Sequence, residues 1–203
     1  MSTTRRLHIK PEADTAFSQG LDDIQRDLKL PSAFPPEVEA AAVAAAAQPR
    51  WPALDRSEIA LVTIDPAGAM DLDQAMYVER TEGGYRVYYA IADVAAFVSA
   101  GDPIDLEAHR RGETLYGGQT KIPLHPKVLS EDAASLLPDQ LRPALLWTIE
   151  LDHTGEGIAV DVRRAKVRSR AKLDYDGVEK LIDAGTTDPM WAVLREIDRK
   201  SVV

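Results

Sequence analysis

The chain has 203 residues, 45% of them hydrophobic and 28% charged, which is enough apolar material for one domain or for a small domain plus part of a larger one. It contains no cysteine, so disulfides, thiolate zinc sites and cysteine nucleophiles are excluded, as suits a cytoplasmic protein. A net charge of −9 argues against holding nucleic acid by overall positive charge, and no apolar run approaches the roughly 18 residues of a membrane span.

Residues 1–13 read as a polar start without the apolar stretch of a secretory signal. Phe17, Leu21, Ile24 and Leu28 recur at helical spacing and predict a helix over Asp14–Leu28, with Asp14 as its N-cap. Prolines break the chain over residues 30–36. An alanine-rich helix is expected over Glu37–Gln48, packing as a spacer on something larger. Residues 1–58 thus form a short helical N-terminal segment.

From Ile59 the pattern changes. Ala60–Ile64 reads as a buried strand. Gln74–Glu79 and Arg86–Val94 read as two strands joined by the hairpin signal Thr81-Glu-Gly-Gly84. A short helix is expected over Pro103–Gly112, an irregular stretch over Leu115–Pro138, and a second strand pair over Pro143–Leu151 and Ile158–Leu173. Tyr175–Ala184 and Met190–Lys200 read as helices. The fold class is therefore α+β: antiparallel β-hairpins with packed helices over residues 59–203. The end at Ser201-Val-Val203 has no closing element and reads as a truncation.

Two features point to chemistry. Thr63-Ile-Asp-Pro-Ala-Gly-Ala-Met-Asp-Leu-Asp-Gln-Ala75 places Asp65, Asp71 and Asp73 within nine positions. Asp71 and Asp73 are two apart, so in an extended segment they point the same way. Gathered carboxylates repel one another. A divalent cation removes that repulsion, and all-oxygen ligands suit Mg²⁺ or Mn²⁺. Such an ion supplies what phosphodiester hydrolysis needs. The same Asp, Pro and Gly would also build an ordinary surface turn, and spacing alone does not choose between the two.

The second feature is a row of alternating cations: Arg164, Lys166, Arg168, Arg170 and Lys172, with small or apolar residues between them. In one strand they would form a cationic face with charges roughly 6.6 Å apart, suited to a phosphodiester backbone. A solvated outer face would show the same alternation. His8, His109, His125 and His153 have no ligand spacing. Asp93 reads as a hydrogen-bonded carboxylate at a strand end, and Asp174 and Asp176 as helix starters. Trp51, Trp147 and Trp191 read as packing. No fingerprint for a dinucleotide cofactor, hydrolase elbow or P-loop occurs.

The acidic stretch resembles the signature of the ribonuclease II (RNB) family, approximately T-I-D-x-x-x-A-x-D-x-D-D-A. The resemblance continues in order through Tyr89-Ala-Ile-Ala-Asp-Val94 and the segment 101–112. It then runs through Leu115-Tyr-Gly-Gly to Ile122-Pro-Leu-His-Pro-Lys-Val-Leu-Ser130, Ser135-Leu-Leu-Pro138, Arg142-Pro-Ala-Leu145 and Ala171-Lys-Leu-Asp-Tyr-Asp176. It implies a hydrolytic 3′→5′ exoribonuclease that uses Mg²⁺ and releases nucleoside 5′-monophosphates from single-stranded RNA. It further implies that Asp65 is a metal ligand, that Asp71 belongs to the same set, and that Asp73 is the carboxylate whose loss most damages the chemistry. Tyr116 matches the aromatic residue that stacks on the 3′-terminal base.

Three departures accompany the resemblance. The fourth acidic position of the signature, a metal ligand in the family, is Gln74 here. It can offer a carbonyl oxygen but no charge. The family's later E-E-x-M and S-P-I-R-x-Y-x-D segments do not occur, nor do flanking OB-fold modules. The reading that follows is the N-terminal part of an RNB-type catalytic domain. A non-catalytic RNA-binding relative is the second reading, and a hydrolase of another phosphoester is the third.

Overall fold

The computed structural model describes residues 11–31, 33–116, 121–183 and 190–194, with side chains from residue 18 onward. Its architecture is α+β, built on a seven-stranded sheet. The helix expected at Asp14–Leu28 runs over Pro11–Asp27 (α1), so Asp14 lies inside it and is not its N-cap. Proline suits a first helical turn, where its missing N–H is not needed. Pro36–Ala47 (α2) buries Val38 and Ala42 against Phe97, Ile104 and Leu129. The expected spacer helix thus joins a shared core.

Leu54–Asp55 (β1) and Val62–Ile64 (β2) precede the hairpin of Gln74–Thr81 (β3) and Gly84–Ala92 (β4). The turn is as tight as the glycines predicted: Thr81 pairs with Gly84. Gly84 is required there, because a Cβ would sit 2.2 Å from the Leu151 carbonyl oxygen of the neighbouring strand. Pro103–Arg111 (α3) is capped by Asp102, whose Oδ1 accepts from Asp105 N at 2.8 Å, and it ends at Gly112 with φ +82°.

The stretch expected to be irregular contains a small ladder, Leu115–Tyr116 (β5) with Lys121–Ile122 (β6), and a π-helical turn at Leu129–Ala133. Leu141–Asp152 (β7) and Gly157–Arg168 (β8) pair antiparallel over most of their length. The continuous strand expected to reach Leu173 is instead broken at Ser169–Arg170. Ala171–Leu173 (β9) pairs parallel with β2. Tyr175–Asp183 (α4) follows, with Asp174 Oδ1 accepting from Gly177 N at 2.6 Å. Residues 190–194 are helical, and the remainder of the helix expected over Met190–Lys200 lies outside the described residues.

The strand order β1-β8-β7-β4-β3-β2-β9 explains the break. A flat sheet would separate β8 from β9 by about 24 Å, five strand spacings. The two linking residues reach no more than about 11 Å. The sheet must therefore curl until its edges approach, and the chain must turn at residue 169 to step from one edge to the other. Arg170 N donating to Leu61 O at 2.7 Å and Asp139 N to Ser169 O at 2.8 Å fasten that step. Leu61, Leu72, Ala90, Ala144, Leu146, Ala165 and Val167 fill the interior.

Candidate active site

The acidic loop leaves β2 at Asp65 and enters β3 at Gln74. Its backbone is held by neutral groups at both ends and, at Ala67 and Ala69, by the Lys172 ammonium. Asp65 N donates to Leu173 O at 2.9 Å, and Ala92 N donates to Asp73 O at 2.9 Å. Leu72, fully buried, anchors the middle: its N–H donates to Ser135 Oγ at 2.9 Å, and its carbonyl accepts from Leu136 N at 2.7 Å. Ser135 Oγ also donates to Met70 O at 2.7 Å. A buried apolar anchor flanked by polar residues forces Asp71 and Asp73 outward.

Asp65 is half-buried, and its carboxyl pKa is raised, first by burial and then by repulsion from Asp73, with a smaller push from Asp71 and an opposing pull from Lys172. Asp65 therefore feels both of the other acids. Burial and then the charge of Asp73 likewise raise the Tyr89 hydroxyl. The set is nonetheless looser than the sequence reading expected. Among the described residues no three His, Cys, Asp or Glu side chains meet in a group that could hold a metal ion.

Two protein donors account for part of this. Lys121 Nζ donates to Asp71 Oδ2, and the Tyr89 hydroxyl donates to Gln74 Oε1. Gln74, expected as an uncharged ligand, thus has one of its two amide-oxygen lone pairs engaged. Burial is the largest single influence and opposes the charge on Lys121, but the hydrogen bond to Asp71 and the nearby charges of Asp71, Tyr116 and Glu131 together outweigh it, and the ammonium pKa ends above its ordinary value. The donor set remains all oxygen, and the repulsion that lifts Asp65 is what a cation would relieve. The residues fit a weakly held Mg²⁺ or Mn²⁺ rather than a closed cage.

Asp71 and Asp73 line a cavity of about 190 Å³ that also takes in Thr114, Tyr116, His125 and Ser135. The Tyr116 side chain is 75% exposed. His125, left aside in the sequence, sits in this wall, and burial pushes its imidazole pKa down.

The cationic row is redistributed. The alternation itself holds: Ala165, Val167 and Ser169 are buried between the cations. Yet Arg164 Nε donates to the buried Asp93 at 2.6 Å, and Lys166 pairs with Asp55 at 3.1 Å. Arg170 donates to Glu58 O at 3.0 Å. Lys172 donates to Ala67 O at 2.8 Å and to Ala69 O, so it staples the acidic loop. Among the described residues only Arg168 of the five has no side-chain partner, and it is exposed. The reason is strand neighbourhood: Asp55 is the register partner of Lys166 on β1, and β9 carries Lys172 beside β2, where the acidic loop begins.

Three contributors escaped the sequence reading. Tyr89 was recoverable, because the hairpin turn pairs it with Met76 and so sets it diagonal to Gln74 on the same face. Lys121 and the hydroxyl of Ser135 carried no local signal.

These features define the class: an α+β domain whose acidic loop and Tyr116 flank one cavity. Within that class, the chain belongs to the RNB domain family, which it matches over residues 54–199. Exoribonuclease 2 of Vibrio vulnificus is 32% identical over 146 residues, 71% of this chain and 22% of that protein. Two Arabidopsis thaliana proteins, DIS3-like exonuclease 2 and inactive exonuclease DIS3L2, are each 39% identical over 132 residues, 64% of this chain and 12% of theirs. Mycoplasma genitalium RNase R, solved in complex with ribose methylated single-stranded RNA, superposes with a TM-score of 0.75 at 26% identity, over 90% of this chain and 29% of that one. The chain spans between 12% and 29% of the length of these and other curated relatives. One relative bears the word inactive, so likeness to the family does not by itself decide turnover.

Proposed function

We propose that this chain carries the metal-binding part of an exoribonuclease that hydrolyses single-stranded RNA in the 3′→5′ direction to nucleoside 5′-monophosphates, with Mg²⁺ or Mn²⁺, in the cytoplasm. The observation that carries this reading is the coupling of Asp65 to Asp73 and Asp71, the latter two lining the cavity that Tyr116 flanks. Asp65, Asp71 and Asp73 would hold the cation. When bound, it supplies polarisation of a phosphoryl oxygen and a water of lowered pKa. The chain's own residues do the rest. The exposed Tyr116 ring offers a stacking platform that accepts any base, as sequence-independent degradation requires. Ser135, through Leu72 and Met70, keeps Asp71 and Asp73 aimed outward. Arg168 is left available to a backbone phosphate.

A second reading, an RNA-binding relative without turnover, is favoured by one observation: the amide of Gln74, in place of a fourth carboxylate, is held by Tyr89. One assay separates the two. The protein is incubated with 3′-labelled single-stranded RNA and Mg²⁺, Mn²⁺ or EDTA, beside Asp73→Asn. Mononucleotide release that needs both the metal and Asp73 is the expected result. RNA retention without release selects the second reading, and neither binding nor release sinks both.

A further inference from the structure

The acidic loop and the β5–β6 ladder that carries Tyr116 meet at one side chain. Lys121, on β6, donates to Asp71 Oδ2, and its ammonium lies 5.8 Å from the centroid of the Tyr116 ring. The two partners of the ion pair are 30% and 37% exposed, so water and small ions reach them. Asp71 is also one of the carboxylates that the proposed cation needs. A carboxylate oxygen accepting from an ammonium does not offer the same lone pair to a divalent ion, and the two cations repel at that distance. Lys172, the other cation beside the acids, donates to two loop carbonyls, at Ala67 and Ala69, and is held in place by them. Lys121 has no such backbone tether among the described residues.

We propose that Lys121 is a positioning residue that competes with the divalent cation for Asp71 and, once displaced, gives its charge to an RNA phosphate beside the base stacked on Tyr116. This inference rests on the metal-and-RNA reading above. Its consequence is thermodynamic linkage. In this proposal the entering cation displaces Lys121 from Asp71, and the cost of separating the pair lowers its affinity in the absence of RNA. An RNA phosphate gives the displaced ammonium a new partner, so RNA tightens metal binding and metal tightens RNA binding by the same factor.

The test measures free Mn²⁺ by electron paramagnetic resonance during titration of the full chain. Each titration is run with and without a ribose methylated single-stranded oligonucleotide. Lys121→Met is expected to bind Mn²⁺ alone about fivefold more tightly than the wild type, the size of one half-exposed ion pair. RNA should no longer tighten the binding in that variant. Lys121→Arg, which keeps the charge, should behave as the wild type. Lys121→Gln supplies the same loss of charge if methionine at this position unfolds the chain. A folded Lys121→Met or Lys121→Gln with wild-type Mn²⁺ affinity and wild-type coupling to RNA overturns the role of Lys121 and leaves the reading of the site standing. A wild-type chain that takes up neither Mn²⁺ nor RNA overturns both.

Discussion

Around Glu107 every charge has its partner, whereas Asp65 has two other carboxylates for neighbours and only the partial pull of Lys172 against them. Glu107, 6% exposed, accepts from Arg110 and from the 2%-exposed Arg111 at 2.6–2.7 Å. Arg111 also donates to Pro123 O and Ala33 O and stacks on the Phe34 ring at 3.6 Å. The cluster ties α3 to two other segments. Hydrogen bonds from Arg110, and then from Arg111, outweigh burial and bring the Glu107 pKa to about 2. In the acidic loop, by contrast, burial and repulsion push Asp65 the other way, and backbone bonds, those to Ser135 among them, hold the conformation together with the Lys172 staple. Paired buried charge builds the scaffold. Unbalanced, reachable charge costs stability, and under the proposed function it is what a bound cation would offset.

The strongest way to break this contrast is Glu107→Gln. It removes one member of a buried ion cluster and should cost about 3 kcal/mol, read from urea unfolding. The wild-type contribution of Glu107 is complete above its ordinary pKa of 4.5 and is lost as pH falls toward about 2, because the folded state holds its proton less tightly than the unfolded one. The variant should lose that acid-side slope, and an unchanged slope would erase the distinction drawn here.

Ser135→Ala comes next. It strands the Leu72 N–H and the Met70 carbonyl and should cost about 1–2 kcal/mol, with faster amide exchange at Leu72. A loop indifferent to this change would not be held by its neutral bonds.

Asp65→Asn should act in the opposite direction. The raised pKa means that the folded state binds more protons than the unfolded state just above the ordinary aspartate value, so wild-type stability falls as pH rises through that window. Asparagine removes the loss and should stabilise the protein at neutral pH by no more than about 0.5 kcal/mol after solvent screening. It should also weaken any thermal stabilisation by Mn²⁺. A destabilised Asp65→Asn would show that the repulsion is already neutralised.

The smallest effect belongs to Arg168→Ala. RNA affinity should fall about two- to threefold and the salt slope should drop by about one phosphate contact. Lys166→Ala, already committed to Asp55, should leave that slope unchanged. Equal slopes for the two variants would restore the cationic row as a unit.

What could be read from the sequence was local. The hairpin at residues 81–84, the alternation of buried and exposed residues at the end of β8 from Ala165 to Arg168, and the loop that carries Asp65, Asp71 and Asp73 all follow from neighbours a few positions apart, where turn chemistry and side-chain period act directly. The family signature lay in the same short segments. The partners of those residues were not legible. Lys121 reaches Asp71 from 50 positions away, Ser135 reaches Leu72 from 63, and Arg164 reaches Asp93 from 71. No local rule announces such pairs. They exist because tertiary packing brings distant segments together: the order β8-β7-β4 sets Arg164 within reach of Asp93 at the end of β4, while Lys121 and Ser135 come from segments outside the seven-stranded sheet. The sequence therefore determined the kind of loop and its family. Only the tertiary structure decided that Asp71 is shared with a lysine, that Gln74 is shared with a tyrosine, and that four of the five basic residues hold the protein together.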